Sequence, residues 1–154
     1  MVLFFYLLCL VLWLGGIAFF GGFVAPVLFT RLTTAQAGAV VSVILPRYHI
    51  LGYACGAIGF VLALYLAAAR GPRGWWLAAA AALLIALALT GYDGMVVAPQ
   101  VHRLRAVAEE ANPDPVLKAQ FDRLHHQSAR LFVLAGILDL LALASTAAAL
   151  SPRG

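Results

Sequence analysis

The sequence predicts an all-α integral membrane protein, a four-helix transmembrane bundle built from two repeated two-helix hairpins. The prediction rests on an apolar composition, on four apolar runs of spanning length, and on short words that recur in both halves of the chain. Hydrophobic residues make up 64% of the chain, against roughly 45–50% in an ordinary soluble domain. Charged residues make up only 10%, against about 25%. So few charges could not cover a water-soluble globule, so the composition excludes a soluble enzyme and a disordered chain.

The four apolar runs cover roughly residues 2–29, 50–69, 75–98 and 131–150. A helix needs about 20 apolar residues to cross a bilayer, and helices satisfy their own backbone hydrogen bonds in lipid. The first run lacks a basic start and far exceeds the 7–15 apolar residues of a signal peptide, so we expect it in the mature protein. The short turn at 70–74 predicts an antiparallel hairpin, with both chain termini on its side of the membrane.

Residues 112–115, Asn-Pro-Asp-Pro, predict the end of one helix and the start of the next. Asp114 can cap a helix that has Pro115 at its first position. We expect this last helix to project beyond the bilayer before it enters the apolar run. We also expect the third helix to continue past a kink at Pro99 to about Ala111.

The connection after the first run is polar enough to carry a helix of its own. Thr33 and Thr34 can cap a short helix over residues 35–45, which would lie near the membrane surface. Pro46 is expected to end it, because proline lacks the N–H that a helix interior requires.

An internal repeat divides the single domain, residues 1–154, into repeat one (1–72) and repeat two (73–154). Two short words recur in the same order and at nearly the same spacing. They are Val24–Phe29 with Val97–His102, and Pro46–His49 with Asp122–His125. Two hairpins that enter from the same side must be related by a pseudo-two-fold axis along the membrane normal.

The repeat predicts paired polar groups at one depth, at the end of the bundle opposite the 70–74 turn. We call this the His/Arg end. His49 and His125 are equivalent positions on the second and fourth helices, and Arg47 and Arg123 are another pair. In the second helix, His49 heads a stripe of glycines and alanines, which is typical of a face that packs on another helix in a membrane. We therefore expect both histidines to face the interior.

Two carboxylates lie inside the apolar runs. Asp93 is near the His/Arg end of the third helix, and Asp139 is near the middle of the fourth. A charge at mid-membrane costs roughly 2.5–3.5 kcal/mol on insertion scales, so such a residue indicates a functional site. The alternative is a protonated or hydrogen-bonded aspartate that only ties helices together, with Thr90 as a partner for Asp139. His102, His126 and Asp122 are further candidates, because the carboxylate could orient an imidazole.

Basic residues also bear on orientation and partners. Three of the 10 Lys and Arg residues lie at the end of the 70–74 turn, and the other seven lie at the His/Arg end. The three are Arg70, Arg73 and Arg153, and the seven are Arg31, Arg47, Arg103, Arg105, Lys118, Arg123 and Arg130. Such residues usually set topology and contact lipid headgroups. We therefore expect a lipid bilayer and no nucleic acid as partner, and a multi-pass protein of the cell membrane with the His/Arg end in the cytoplasm.

Small residues and cysteines complete the expected packing. Gly15, Ala18, Gly22 and Ala25 form a further stripe on the first helix, and spare small faces favour association into a homodimer. Cys9 and Cys55 have no CxxC spacing, and we expect them to be apolar packing residues at different depths, without a disulfide.

Three short words carry a family resemblance: Phe121–Ser128, Val24–Phe29 and, between them, Leu45–Tyr48. In these words, and over residues 13 to 145 approximately, the chain resembles the transmembrane protein 205-like family of small four-helix membrane proteins. The resemblance implies a polytopic membrane protein of unsettled biochemistry, with a link to metal-drug resistance in eukaryotic members. Methionine and cysteine, which copper prefers, are scarce in this chain.

Two functions remain open from the sequence. In the first, His49 and His125 bind haem or a divalent metal, and Arg47 and Arg123 hold an anionic group. Asp93 lies below them as part of the same ligand site. In the second, the protein is a non-catalytic small transporter or a membrane interaction subunit, and the polar cluster only locks the hairpins together. Whether the protein is an enzyme stays open.

Overall fold

A computed structural model describes residues 1–108, 110 and 114–151. These residues form four spans, which are Val2–Arg31, Thr34–Ala69, Arg73–Ala108 and Pro115–Leu150. Each span is long and apolar enough to cross a membrane, and the described part of the chain contains no strand. The predicted all-α membrane class is confirmed, and the chain is a multi-pass membrane protein.

The first and third spans share an irregular turn. Each contains a five-residue π-helical segment, Phe20–Val24 in the first span and Asp93–Val97 in the third. Pro26 follows the first segment and Pro99 the second, each at the second position of the α-helix that resumes there. A π-turn is a common local response to a disturbed helical ladder, and proline lacks an N–H. The π-helical segment and the proline after it thus occur at the same word in both halves, and the repeat itself stays a prediction.

The second span is one continuous helix from Thr34 to Ala69. Thr33 caps it, because its Oγ1 accepts from Gln36 N at 3.3 Å while Thr33 N donates to Gln36 Oε1 at 3.1 Å. Pro46 lies inside the helix, so the prediction of a separate helix over 35–45 that ends at Pro46 was wrong. A proline removes one hydrogen bond, and neighbouring helices can sustain the helix around it in a membrane.

The start of the fourth span agrees with the sequence. Asp114 Oδ1 accepts from Val116 N at 2.8 Å, and Pro115 is the first helical residue. The third span is described as far as Ala108, beyond Pro99 as predicted. Its expected end at Ala111 and the Asn112-Pro113 signal lie outside the described residues.

The spans pack as an antiparallel ring in chain order, with each span against the next and the fourth against the first. The largest fully buried side chains, Tyr6, Trp13 and Trp76, lie between the middle of the bundle and the 70–74 turn. The Trp13 indole lies against the second span, where its ring carbons come within 2.7 Å of the position that a Cβ at Gly56 would take. The glycines of the second span therefore give room to a tryptophan.

The positions of the small residues of the first span and of the two cysteines bear on packing. Gly15, Ala18 and Gly22 of the first span are exposed on the outside of the bundle. Cys9 and Cys55 are both free, and their thiols lie within hydrogen-bonding reach of each other. The expectation that the cysteines lie at different depths was wrong, because the two spans run antiparallel and bring these positions to one level.

Candidate functional site

A cavity of about 670 Å³ lies between the four spans at the His/Arg end. Small-molecule sites in proteins are commonly about 300–1,000 Å³. Every span contributes to the wall, and the two π-helical segments supply Phe20, Gly21, Asp93 and Gly94. Most of the wall is apolar, with a small set of polar side chains among aromatic and aliphatic ones.

The innermost polar feature of the wall is a buried pair. His49 Nε2 lies 2.9 Å from Asp93 Oδ2, and the two residues are only 5% and 3% exposed. The carboxylate accepts this hydrogen bond, which places the imidazole proton on Nε2. The second carboxylate oxygen, Asp93 Oδ1, is buried and has no hydrogen-bond partner within the described chain. One acceptor of the pair therefore remains for another donor.

Tyr53 holds the His49 ring from one side. The two rings are stacked, with centroids 6.2 Å apart and planes inclined by 17°. The Tyr53 hydroxyl occupies the space that a Cβ at residue 94 would need. Gly94 thus allows the second and third spans to approach closely beside the pair.

Basic groups line the opposite part of the cavity. His125 stacks on Phe121, with centroids 5.9 Å apart and planes at 10°, and His102 also lies on the wall. Arg105 lines the cavity and donates through Nη1 to the Gly38 carbonyl. This bond ties the third span to the beginning of the second and holds the guanidinium at the cavity.

The predicted site residues divide into two groups. His49, Asp93, His125 and His102 line the cavity. The others do not line it: Arg47, Arg123, Asp122 and His126 are exposed, and Asp139 is buried deeper in the bundle.

His49 and His125 differ in their surroundings. His49 is buried against Asp93, whereas His125 is exposed beside Phe121. The counterpart of Asp93 in repeat one is Phe20, by the spacing of the shared words. An aromatic ring therefore stands where His125 would need a partner, and among the described residues His49 alone has a hydrogen-bonded carboxylate.

Comparison with known proteins places the chain in a family. The domain of unknown function named DUF4149 matches residues 8–110. The chain belongs to the DUF4149 family. Neither a curated protein nor a solved structure matches it. The matched range contains His49, Asp93, His102 and Arg105, and the predicted likeness to transmembrane protein 205-like proteins stays a prediction.

Sequence reasoning about this DUF4149 protein missed Arg105 and Tyr53. Arg105 follows His102 by three residues, which puts both on one face of a helix, and Tyr53 follows His49 by four. Helical spacing from the predicted histidines could have indicated both residues. Neither lies in the repeated words, which indicate only residues at equivalent positions of the two halves.

The DUF4149 chain offers no ready metal centre in its described part. No group of three or more His, Cys, Asp or Glu side chains could hold a metal ion there. His49 and Asp93 supply two such side chains and are bonded to each other. A divalent metal would need further ligands from outside this pair.

Proposed function

We propose that this DUF4149 protein binds a small amphipathic molecule, with an apolar body and an acidic group, in the cavity at the His/Arg end. The observation that carries the proposal is a largely apolar cavity of ligand size whose polar wall is built by the buried His49–Asp93 pair. The protein would do so in the cell membrane, with the cavity end towards the cytoplasm, as the excess of basic residues at that end favours.

The apolar body of the ligand would lie against aromatic and aliphatic side chains. Phe20, Phe29 and Phe132 line the cavity from the first and fourth spans, and Val41 and Leu45 line it from the second. Phe20 and Phe132 meet edge to face, with centroids 5.9 Å apart. Burial of apolar ligand surface between such rings contributes about 25 cal/mol per Å².

The acidic group would lie near Arg105, His102 and His125. Arg105 carries a permanent charge and presents a planar set of donors that suits a carboxylate or phosphate. The Asp93 carboxylate is bonded to His49 on one oxygen, so its repulsion of an anion is reduced. Asp93 Oδ1 remains as an acceptor for a hydroxyl or N–H elsewhere on the ligand.

Haem belongs to this ligand class, because it combines an apolar ring with acidic side groups. The His49 Nε2–H that is held by Asp93 leaves Nδ1 as the basic nitrogen, and a carboxylate behind an imidazole is typical of haem and metal ligands. His125 lies on the same cavity wall. Haem, when bound, would supply redox or ligand-binding chemistry that this chain's own side chains lack.

The test is titration of hemin, and separately of a fluorescent fatty acid, into the protein in mild detergent. We expect saturable binding of at least one probe, weakened about tenfold or more by Arg105→Gln, which corresponds to about 1.4 kcal/mol. Arg47→Gln is the matched control, because Arg47 is exposed and bonds to Val43 of its own helix.

The histidines separate haem from other ligands. The double variant His49→Ala with His125→Ala should abolish a haem Soret shift but weaken fatty-acid binding only in part, because Arg105 and His102 still line the cavity near the acidic group. Absence of saturable binding for both probes would overturn the proposal and leave a transporter or an interaction subunit as the role of the bundle.

A further inference from the structure

A second carboxyl group lies deeper in the bundle and belongs to no part of the cavity wall. Asp139 in the fourth span is 0% exposed. Neither of its oxygens has a hydrogen-bond partner in the part of the chain that the structure describes. An ionised carboxylate without a partner is costly in an apolar interior. This side chain therefore needs a proton or another polar partner.

The groups around Asp139 are uncharged. Tyr6 of the first span and Tyr48 and Cys55 of the second lie within electrostatic range of it. On the third span, the ionisable side chains between Arg73 and His102 are Tyr92, which is exposed, and Asp93, which is bonded to His49. Since no cation among the described residues faces Asp139, the surroundings favour its protonated form.

A small void lies beside the His49–Asp93 pair. It measures about 10 Å³ and is bounded by Tyr48, His49, Thr90 and Asp93, with Ala135 of the fourth span closing it. A void needs about 10–15 Å³ on this measure to hold one water molecule. Ala135 lies one helical turn before Asp139, so the void and the Asp139 residue are one turn apart along the fourth span.

Tyr48 lines the void and lies within electrostatic range of Asp139. Its hydroxyl is buried and makes no hydrogen bond of acceptable geometry within the described residues. The nearby Trp13 indole N–H can only donate, so it cannot take the proton of the Tyr48 hydroxyl. No side chain among the described residues accepts the Tyr48 hydroxyl proton, and neither Asp139 oxygen has a partner there. Tyr48 is therefore the unsatisfied hydroxyl that is placed to relay a proton between the void and Asp139.

On the other side of Asp139, the hydroxyl groups of Tyr6 and Thr146 bond to each other and to the backbone. Thr146 Oγ1 donates to the Ala142 carbonyl at 2.8 Å, so Tyr6 OH must donate to Thr146 at 2.8 Å. Both hydroxyl protons are thus used, so these two side chains offer no proton path from Asp139 to a further acceptor. Leu10 and Trp76 are buried beside Tyr6 and continue the apolar core towards the 70–74 turn.

We propose that Asp139 is a membrane-buried proton-binding site that exchanges its proton with the cavity side only, through Tyr48 and a water in the void. No bond other than an O–H is made or broken: a proton from the cavity side is added to one carboxylate oxygen, and the reverse step releases it. The proposal does not depend on any ligand of the cavity.

Infrared spectroscopy of the reconstituted protein tests the site. We expect the C=O stretch of a protonated, poorly solvated carboxylic acid at neutral pH, and its loss in Asp139→Asn. Should that variant fail to fold, Asp139→Glu keeps the acid and should shift the band. A spectrum that lacks the band, or a band that both variants leave unchanged, overturns the proposal.

Transfer to heavy water tests the path. The band should shift as the acid proton exchanges, and Tyr48→Phe should slow this exchange about tenfold, equivalent to about 1.4 kcal/mol in the barrier. Tyr6→Phe is the matched control, because Tyr6 lies on the closed side, and it should leave the rate unchanged. Slower exchange in Tyr6→Phe with an unchanged rate in Tyr48→Phe would show the opposite access and overturn the proposal.

Discussion

His49 Nε2 and Asp93 Oδ2 lie 2.9 Å apart in the interior of a membrane bundle and join the second span to the third. The pair stands at the wall of the cavity, beside the π-helical segment that begins at Asp93. One hydrogen bond thus has two consequences: it sets the angle of the imidazole, and it fixes the position of an irregular turn against a regular helix.

The single variants His49→Ala and Asp93→Ala should each be less stable than the double variant that lacks both side chains. His49→Ala leaves the Asp93 carboxylate buried without a partner. Asp93→Ala leaves the His49 imidazole buried without its partner. Coupling energies between polar partners in membrane bundles average about 0.6 kcal/mol and reach about 1.7 kcal/mol. A double-mutant cycle from unfolding free energies in detergent should give a coupling in this range. Strictly additive single and double changes would contradict the bond.

Gly94→Ala should destabilise the bundle, because the Tyr53 hydroxyl occupies the space of the added methyl group. Overpacking of this kind typically costs about 1–3 kcal/mol. Gly91→Ala, one turn away with nothing near its Cβ position, is the control and should be neutral or stabilising. Tyr53→Phe should restore much of the stability of Gly94→Ala, and a lack of rescue in thermal unfolding would argue against this contact.

Tyr6→Phe should lower the free energy of unfolding by about 0.6–1.7 kcal/mol. The change removes the hydrogen bond that joins the first and fourth spans at 2.8 Å from Tyr6 OH to Thr146 Oγ1. The exposed Tyr65, changed to Phe, is the control and should have no effect. Equal melting temperatures for Tyr6→Phe and the wild type would contradict the bond.

The repeat predicts that Arg47→Ala and Arg123→Ala behave alike. Both side chains are exposed, so we expect each change to alter stability by no more than about 0.5 kcal/mol. Arg105→Ala should cost more, because it removes a bond from the third span to Gly38. Thermal unfolding of the three variants decides this, and a large loss at only one of Arg47 and Arg123 would argue against the two-fold relation.

A homodimer stays a prediction, and the structure indicates the face to change. Gly15, Ala18 and Gly22 form an exposed stripe on the first span, where a partner helix could approach closely. Gly15→Leu and Gly22→Leu should convert a dimer to a monomer in mild detergent, as measured by light scattering, with the melting temperature of the monomer unchanged. Val61→Leu on the exposed face of the second span is the control. A wild-type protein that is already monomeric would show the prediction wrong.

Local features of the chain could be predicted from the sequence. The lengths of the apolar runs and the need of every backbone group for a partner in lipid determine four helices. Thr33 and Asp114 start their helices because a capping side chain bonds within its own turn. The prediction failed at Pro46, where proline chemistry alone indicates an end and the surrounding helices sustain the span instead.

The site could be predicted only in part from the sequence, because it depends on how each helix is rotated about its own axis. A change of one residue turns a side chain by about 100°, and that angle follows from packing, such as the Trp13 ring against Gly52 and Gly56. The sequence by itself determined a polytopic helical protein with buried Asp93 and Asp139. Only the tertiary structure decided that Asp93 pairs with His49, that Arg105 rather than Arg47 or Arg123 lines the cavity, and that Asp139 stands apart, since these pairings join residues far apart in the chain.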